Sequence, residues 1–150
     1  MTRITREKMF IEIVQTVAKR STCNRPDEIK GHVGAILVRD GRIISTGYAG
    51  APKGLPHCLE VGCQMEDGSC IRTIHAEANT IAFAAKYGIK TEGSTLYCTL
   101  APCINCAKLI INSGIREVVY ITEYRKSTGV QMLIDSGILV RKWEDDHKVS

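Results

Sequence analysis

Residues 74–88, "IHAEANTIAFAAKYG", followed at 94–100 by "STLYCTL", decide the architecture. The first stretch repeats its apolar residues at helical spacing and stops at Gly88. The second is a short run rich in residues that suit a strand. The pair then recurs: "INCAKLIINSG" (104–114) reads as a helix ending at Gly114, and "EVVYIT" (117–122) as a strand. "TGVQMLIDSG" (128–137) opens with Thr128 and Gln131 at capping-box spacing, stops at Gly137, and leads into the strand "ILVRKW" (138–143). Each helix hands over through Gly-Ile. Helices and strands alternating at this length argue for parallel strands joined by crossovers.

Working outward, residues 4–20 carry apolar pairs at Met9/Phe10, Ile13/Val14 and Val17/Ala18, an amphipathic helix. "HVGAILVRDGRIISTGY" (32–48) reads as two strands around an Asp40–Gly41 turn. Residues 49–74 have no periodicity and are rich in Gly, Pro and Cys, so this long loop is functional or held by something. The fold class expected is α/β, a three-layer α/β/α sandwich with a mixed sheet of about five strands. No low-complexity segment or Pro/Ser linker divides the chain, so residues 1–150 read as a single domain.

Composition narrows the functional classes. No apolar run reaches the roughly 20 residues of a membrane helix, and Glu7 and Glu12 interrupt the only stretch that a signal peptide would need. The reading is therefore cytoplasmic, where clustered cysteines point to metal or catalysis rather than to disulfides. There are seven of them. Net charge is +4, from 20 basic and 16 acidic residues, without a long basic tract. Such a balance suits an anionic small molecule; "RKSTG" and "REK" read as solvated faces, not nucleic-acid patches.

His75 and Glu77 open one helix; Cys103 and Cys106 open another, directly after Pro102. Cysteines at i,i+3 lie on one helix face, so both sulfurs reach one ion. At a helix start the dipole favours their thiolates. Three protein ligands and one free position make a catalytic zinc site, and Glu77, in the same turn as His75, lies beside that position without binding the ion. Parallel strands bring both helix starts to one end of the sheet. Taken singly, C-x-x-C is also half a structural knuckle or a redox pair, and H-x-E is also a helix cap. Together, in this order, they match the established signature of zinc nucleobase deaminases.

At these residues the chain resembles the cytidine/deoxycytidylate deaminase superfamily, and within it the deoxycytidylate branch. The resemblance rests on "VGAILV", "GRIISTGYAGAPKG", "CIRTIHAEANTI" and "LAPCINCAKLIINSGI". It implies hydrolysis of dCMP to dUMP and ammonia, with zinc on His75, Cys103 and Cys106 and with Glu77 moving protons. It also implies an Ala76 backbone N–H on the pyrimidine carbonyl, Tyr124 near the base, and Tyr48 in the substrate loop. For Tyr124 the alternative is surface packing. Relatives of this kind form homo-oligomers, commonly hexamers, activated by dCTP and inhibited by dTTP.

Two other features stand out. Cys58, Cys63 and Cys70 crowd into "CLEVGCQMEDGSC" with His57 adjacent, and Cys23 follows the first helix. Four thiolates make a closed structural zinc site that would order the loop, and the resemblance extends to "RSTC" and "EVGC". A site in which His57 replaces a thiol, and a loop without metal, remain the alternatives. Cys98 reads as a small buried apolar residue. In the substrate loop "GYAGAP", Ala49 stands where the family usually has Asn, and alanine offers no hydrogen bond. Arg72, Arg125 and Lys126 are candidate phosphate partners. Alternatives to dCMP are dCTP, a modified dCMP, a nucleoside or a base in RNA. A non-catalytic zinc scaffold is the rival from another class.

Overall fold

A computed structural model describes residues 2–23 and 32–145. Helix α1 (Arg6–Ala18) begins at Thr5, whose hydroxyl accepts the Lys8 N–H at 3.1 Å. Strands β1 (Gly34–Arg39) and β2 (Arg42–Tyr48) follow. They turn at Asp40 and Gly41, both with positive φ (53° and 72°), the geometry that a two-residue hairpin needs.

The aperiodic segment is less irregular than its sequence implies. It holds a short helix α2 (Cys58–Val61) and a two-stranded ribbon, β3 (Met65–Glu66) with β4 (Ser69–Cys70). Elements of four and two residues are too short for a repeat to register. Helix α3 (Ala76–Lys86), β5 (Thr95–Leu100), α4 (Ile104–Asn112), β6 (Glu117–Thr122), α5 (Thr128–Asp135) and β7 (Leu139–Lys142) complete the elements of the described residues. The expected capping box at Thr128 is absent. Ser127 is the N-cap, and Gln131 Nε2 instead donates to Asp135 at 2.8 Å along the helix.

The sheet order is β2-β1-β5-β6-β7. β1 is antiparallel to both neighbours, and β5, β6 and β7 run parallel, the mixed five-stranded sheet expected from the alternation. Pleating sorts its side chains onto two faces. Ala35, Leu37, Leu96, Cys98, Val118 and Tyr120 pack with residues of α3, α4 and α5. Ile36, Val38, Tyr97 and Val119 pack with Phe10, Ile11 and Val14 of α1. Three layers result, three main helices on one side and one on the other. Arg141 of β7 pairs with Glu117 of β6 at 2.9 Å and with Glu7 of α1, tying that single helix to the parallel edge. Cys98 is fully buried in the larger core.

Candidate metal centre and substrate cavity

Both ligand-bearing turns are helix starts, and a close backbone approach seats each one. His75 is the N-cap of α3 and Cys103 the N-cap of α4, each in extended conformation. A Cβ on Gly47 of β2 would lie 2.8 Å from the Ala76 carbonyl and 2.5 Å from the Thr80 hydroxyl. Only glycine lets α3 lie that near the sheet. Gly129 of α5 does the same for α4, where a Cβ would sit 2.2 Å from the Pro102 oxygen. Thr80 donates back to the Ala76 carbonyl at 2.7 Å, and Asn79 Nδ2 holds the Tyr48 carbonyl at 3.1 Å.

His75 Nδ1 lies 3.4 Å from both Cys103 Sγ and Cys106 Sγ. Zinc bonds of about 2.3 Å to sulfur and about 2.0 Å to nitrogen set a tetrahedral N···S edge of roughly 3.5 Å. The three donors therefore fit one zinc ion, and among the described residues no fourth His, Cys, Asp or Glu joins the group. The Cys106 hydrogen bond holds the Cys103 thiol down to about 3, and the same contact, with burial, pushes Cys106 up. Glu77 is 4% exposed. Burial raises its carboxyl above the ordinary glutamate value, against the opposing pull of its own backbone N–H and of His75. Cys106 is hydrogen-bonded to it.

Behind these groups is a cavity of about 40 Å³, room for roughly one water molecule. Ala76, Ala49, Val33, Thr73 and Tyr124 contribute to its wall. Tyr124 also borders a cleft of about 540 Å³ with Arg125, and another of about 430 Å³ with Lys126 and Thr73. It stands where the three spaces meet. Tyr48 is placed differently: its ring rests against Gly50, and it lines none of the three spaces. Arg72 donates to the Gly62 carbonyl and Arg125 to the Gly68 carbonyl, both at 3.1 Å. These two arginines brace the cysteine loop; Arg125 also borders one cleft and Lys126 the other.

The four remaining thiols of the loop gather as one group. Cys58 and Cys70 lie 3.6 Å apart, Cys23 and Cys63 3.9 Å, against the roughly 3.8 Å edge of a tetrahedral zinc–thiolate site. The pairs are not disulfides. Burial raises the Cys70 thiol, yet backbone N–H groups of Arg72 and Gln64 outweigh it and bring it to about 7. Burial pushes Cys58 up. His57 is outside this group; its Nδ1 is buried without a hydrogen bond among the described residues. Sequence reasoning missed Gly47, Gly129, Asn79 and Ser21. Asn79 alone carried a signal, its i,i+4 spacing from His75.

The family model described as the cytidine and deoxycytidylate deaminase zinc-binding region matches residues 4–122. ComE operon protein 2 of Bacillus subtilis is 41% identical over 150 residues, spanning 99% of this chain and 77% of that protein. Deoxycytidylate deaminase of Saccharomyces cerevisiae is 34% identical over 145 residues, 91% of this chain. The match spans only 44% of the yeast protein. Among solved structures, dCMP deaminase from the cyanophage S-TIM5, in complex with dCMP and dUMP, superposes with a TM-score of 0.81. It is 32% identical, and the match covers 95% of this chain and all of that one.

Proposed function

This chain belongs to the cytidine and deoxycytidylate deaminase family, and from that premise we propose that it is a zinc-dependent hydrolase converting dCMP to dUMP and ammonia. The observation that carries this reading is the buried Glu77 carboxyl beside three zinc-competent donors at one cavity. His75, Cys103 and Cys106 hold the metal. When bound there, zinc supplies Lewis acidity that lowers the pKa of water from near 16 to about 7.

The chain's own groups do the rest. Glu77 takes one proton from the water whose oxygen adds to C4 and passes it to the ring nitrogen N3. It then takes the second proton from the new C4 hydroxyl and gives it to the amine, which leaves as ammonia as the C4–N bond breaks. Its raised pKa suits a group that must both accept and give a proton near neutrality. The Ala76 N–H is in the first turn of α3, where N–H groups lack intrahelical partners, and it donates to the pyrimidine carbonyl. Tyr124 packs against the base at the cavity mouth. Lys126 is the best-placed cation for the phosphate, since Arg72 and Arg125 are engaged with loop carbonyls.

The Cys23, Cys58, Cys63 and Cys70 group takes a second, structural zinc, supported by the tetrahedral spacing of its sulfurs. Family likeness supports a homo-oligomer, a hexamer in related enzymes, with dCTP and dTTP as effectors, a cytoplasmic setting, and residues 1–150 acting as one domain. No helix among the described residues is long and apolar enough to cross a membrane. One observation favours a second reading, a different cytosine nucleotide: Ala49 is part of the cavity wall and offers no hydrogen bond.

The test is ultraviolet absorbance on purified protein given dCMP, dCTP, CMP, deoxycytidine and cytidine in turn, with Glu77→Gln as control. Loss of the cytosine band with dCMP alone is the expected result. Turnover of another member in place of dCMP would transfer the same chemistry to that substrate. Silence on all five, with zinc bound and dCTP added, would overturn the reading.

A further inference from the structure

The two thiol-bearing groups are not remote from one another. Cys23 and Cys70 of the four-cysteine group line the same cavity as His75 and Glu77. Ser21, two residues before Cys23, is 7% exposed. Its hydroxyl donates to the Ala49 carbonyl at 2.9 Å and accepts the Cys23 N–H at 3.3 Å. The Thr22 N–H reaches the same Ala49 carbonyl at 3.1 Å, and the Ala49 N–H donates to Val33 at 2.9 Å. One residue further on, Gly50 pairs with Ile74, next to His75. The wall segment 49–50 is thus fixed on one side by the residues leading into Cys23 and on the other by the residue before a metal ligand.

We infer that Ser21 is a positioning residue that couples the four-cysteine site to the nucleotide cavity through the Ala49 carbonyl. The inference rests on the dCMP and second-zinc readings above. Ala49 has no polar side chain; its methyl packs with Cys23, Cys58 and Cys70, and its hydrogen bonds are made by its backbone. Ser21 is suited to that task because one hydroxyl answers both a carbonyl on the wall and an N–H on a thiol ligand. Alanine at position 21 would lose both contacts, whereas threonine keeps the hydroxyl.

The experiment measures dCMP binding by calorimetry in the Glu77→Gln background, with zinc per chain by mass spectrometry and turnover in the Glu77 protein. Ser21→Ala is expected to weaken dCMP about tenfold. Zinc content should be unchanged, KM should rise to match, and kcat should stay within about twofold. Ser21→Thr should bind as the parent does. Cys63 is only partly buried and lines none of the three spaces, but it touches Cys23. Cys63→Ser should cost one zinc per chain and weaken dCMP by a similar factor, which also tests the coupling if Ser21→Ala does not fold. Undiminished dCMP affinity in Ser21→Ala, or in Cys63→Ser after loss of its zinc, overturns the inference. A parent holding one zinc per chain sinks the second-zinc reading instead, and Ser21→Ala then decides the hydrogen-bond link alone. A Glu77→Gln parent that binds no dCMP sinks the substrate reading, and the comparison is then made with the cytosine nucleotide that binds.

Discussion

Gly129 lies against Cys103: a Cβ on this glycine would sit 2.6 Å from the Cys103 carbonyl carbon. A residue of α5, with no side chain of its own to offer a metal, therefore fixes where a proposed metal ligand stands. Gly129→Ala must push α5 away from the start of α4, because the obstruction is backbone and does not rotate aside. The expected cost is about 1–3 kcal/mol of stability, with partial loss of the zinc held by His75, Cys103 and Cys106. Urea melts with zinc analysis check both; unchanged zinc and an unchanged midpoint would contradict the packing.

Glu77→Gln keeps the shape of the side chain and its burial but removes the proton carrier. Turnover should fall by about 10²–10⁴-fold while zinc content and melting temperature stay near those of the parent. If zinc were lost together with activity, Glu77 would be holding the metal site together rather than moving protons.

Chelation tests the proposed dependence on zinc. Prolonged treatment with a strong chelator should abolish activity and lower the melting temperature, since binding to the folded state adds directly to stability. Adding zinc back should restore both. A chelated protein with full activity would exclude a metal role at His75.

Ala49→Asn tests whether the cavity wall sets nucleotide preference. A hydrogen-bonding side chain there should raise kcat/KM for dCMP over that for dCTP by about tenfold. An unchanged ratio would mean that position 49 faces the nucleotide only through its backbone.

The sheet and its helices were legible because each element is long enough to display its period, and because β5 to β7 follow a regular helix–strand rhythm. That His75, Cys103 and Cys106 would gather in one group, and Cys23, Cys58, Cys63 and Cys70 in another, was legible because ligand chemistry demands few residue types at fixed spacing. Tyr48 was harder. Its neighbourhood pointed to the substrate loop, but alternation along β2 and the turn beyond it carried its ring to Gly50 and left Ala49 to form the wall. Thr128 and Gln131 matched a capping pattern, yet the N-cap is one residue earlier, at Ser127, and Thr128 is the first helical residue. Ser21 and Gly129 act across distances in sequence that no local pattern reports.

The spacing of the thiols along the chain also sets an order of assembly. Cys58, Cys63 and Cys70 fall within one short segment, so an ion meeting the unfolded chain closes only small loops to collect them. His75 meets Cys103 and Cys106 only once α3 and α4 have docked on the finished sheet. With the structural zinc proposed above, the cysteine loop would be able to capture its ion during synthesis, before β5 to β7 exist, whereas the His75, Cys103 and Cys106 group would assemble only after α4 has docked. Zinc scarcity during growth would accordingly leave its mark on newly made chains first and on mature ones later.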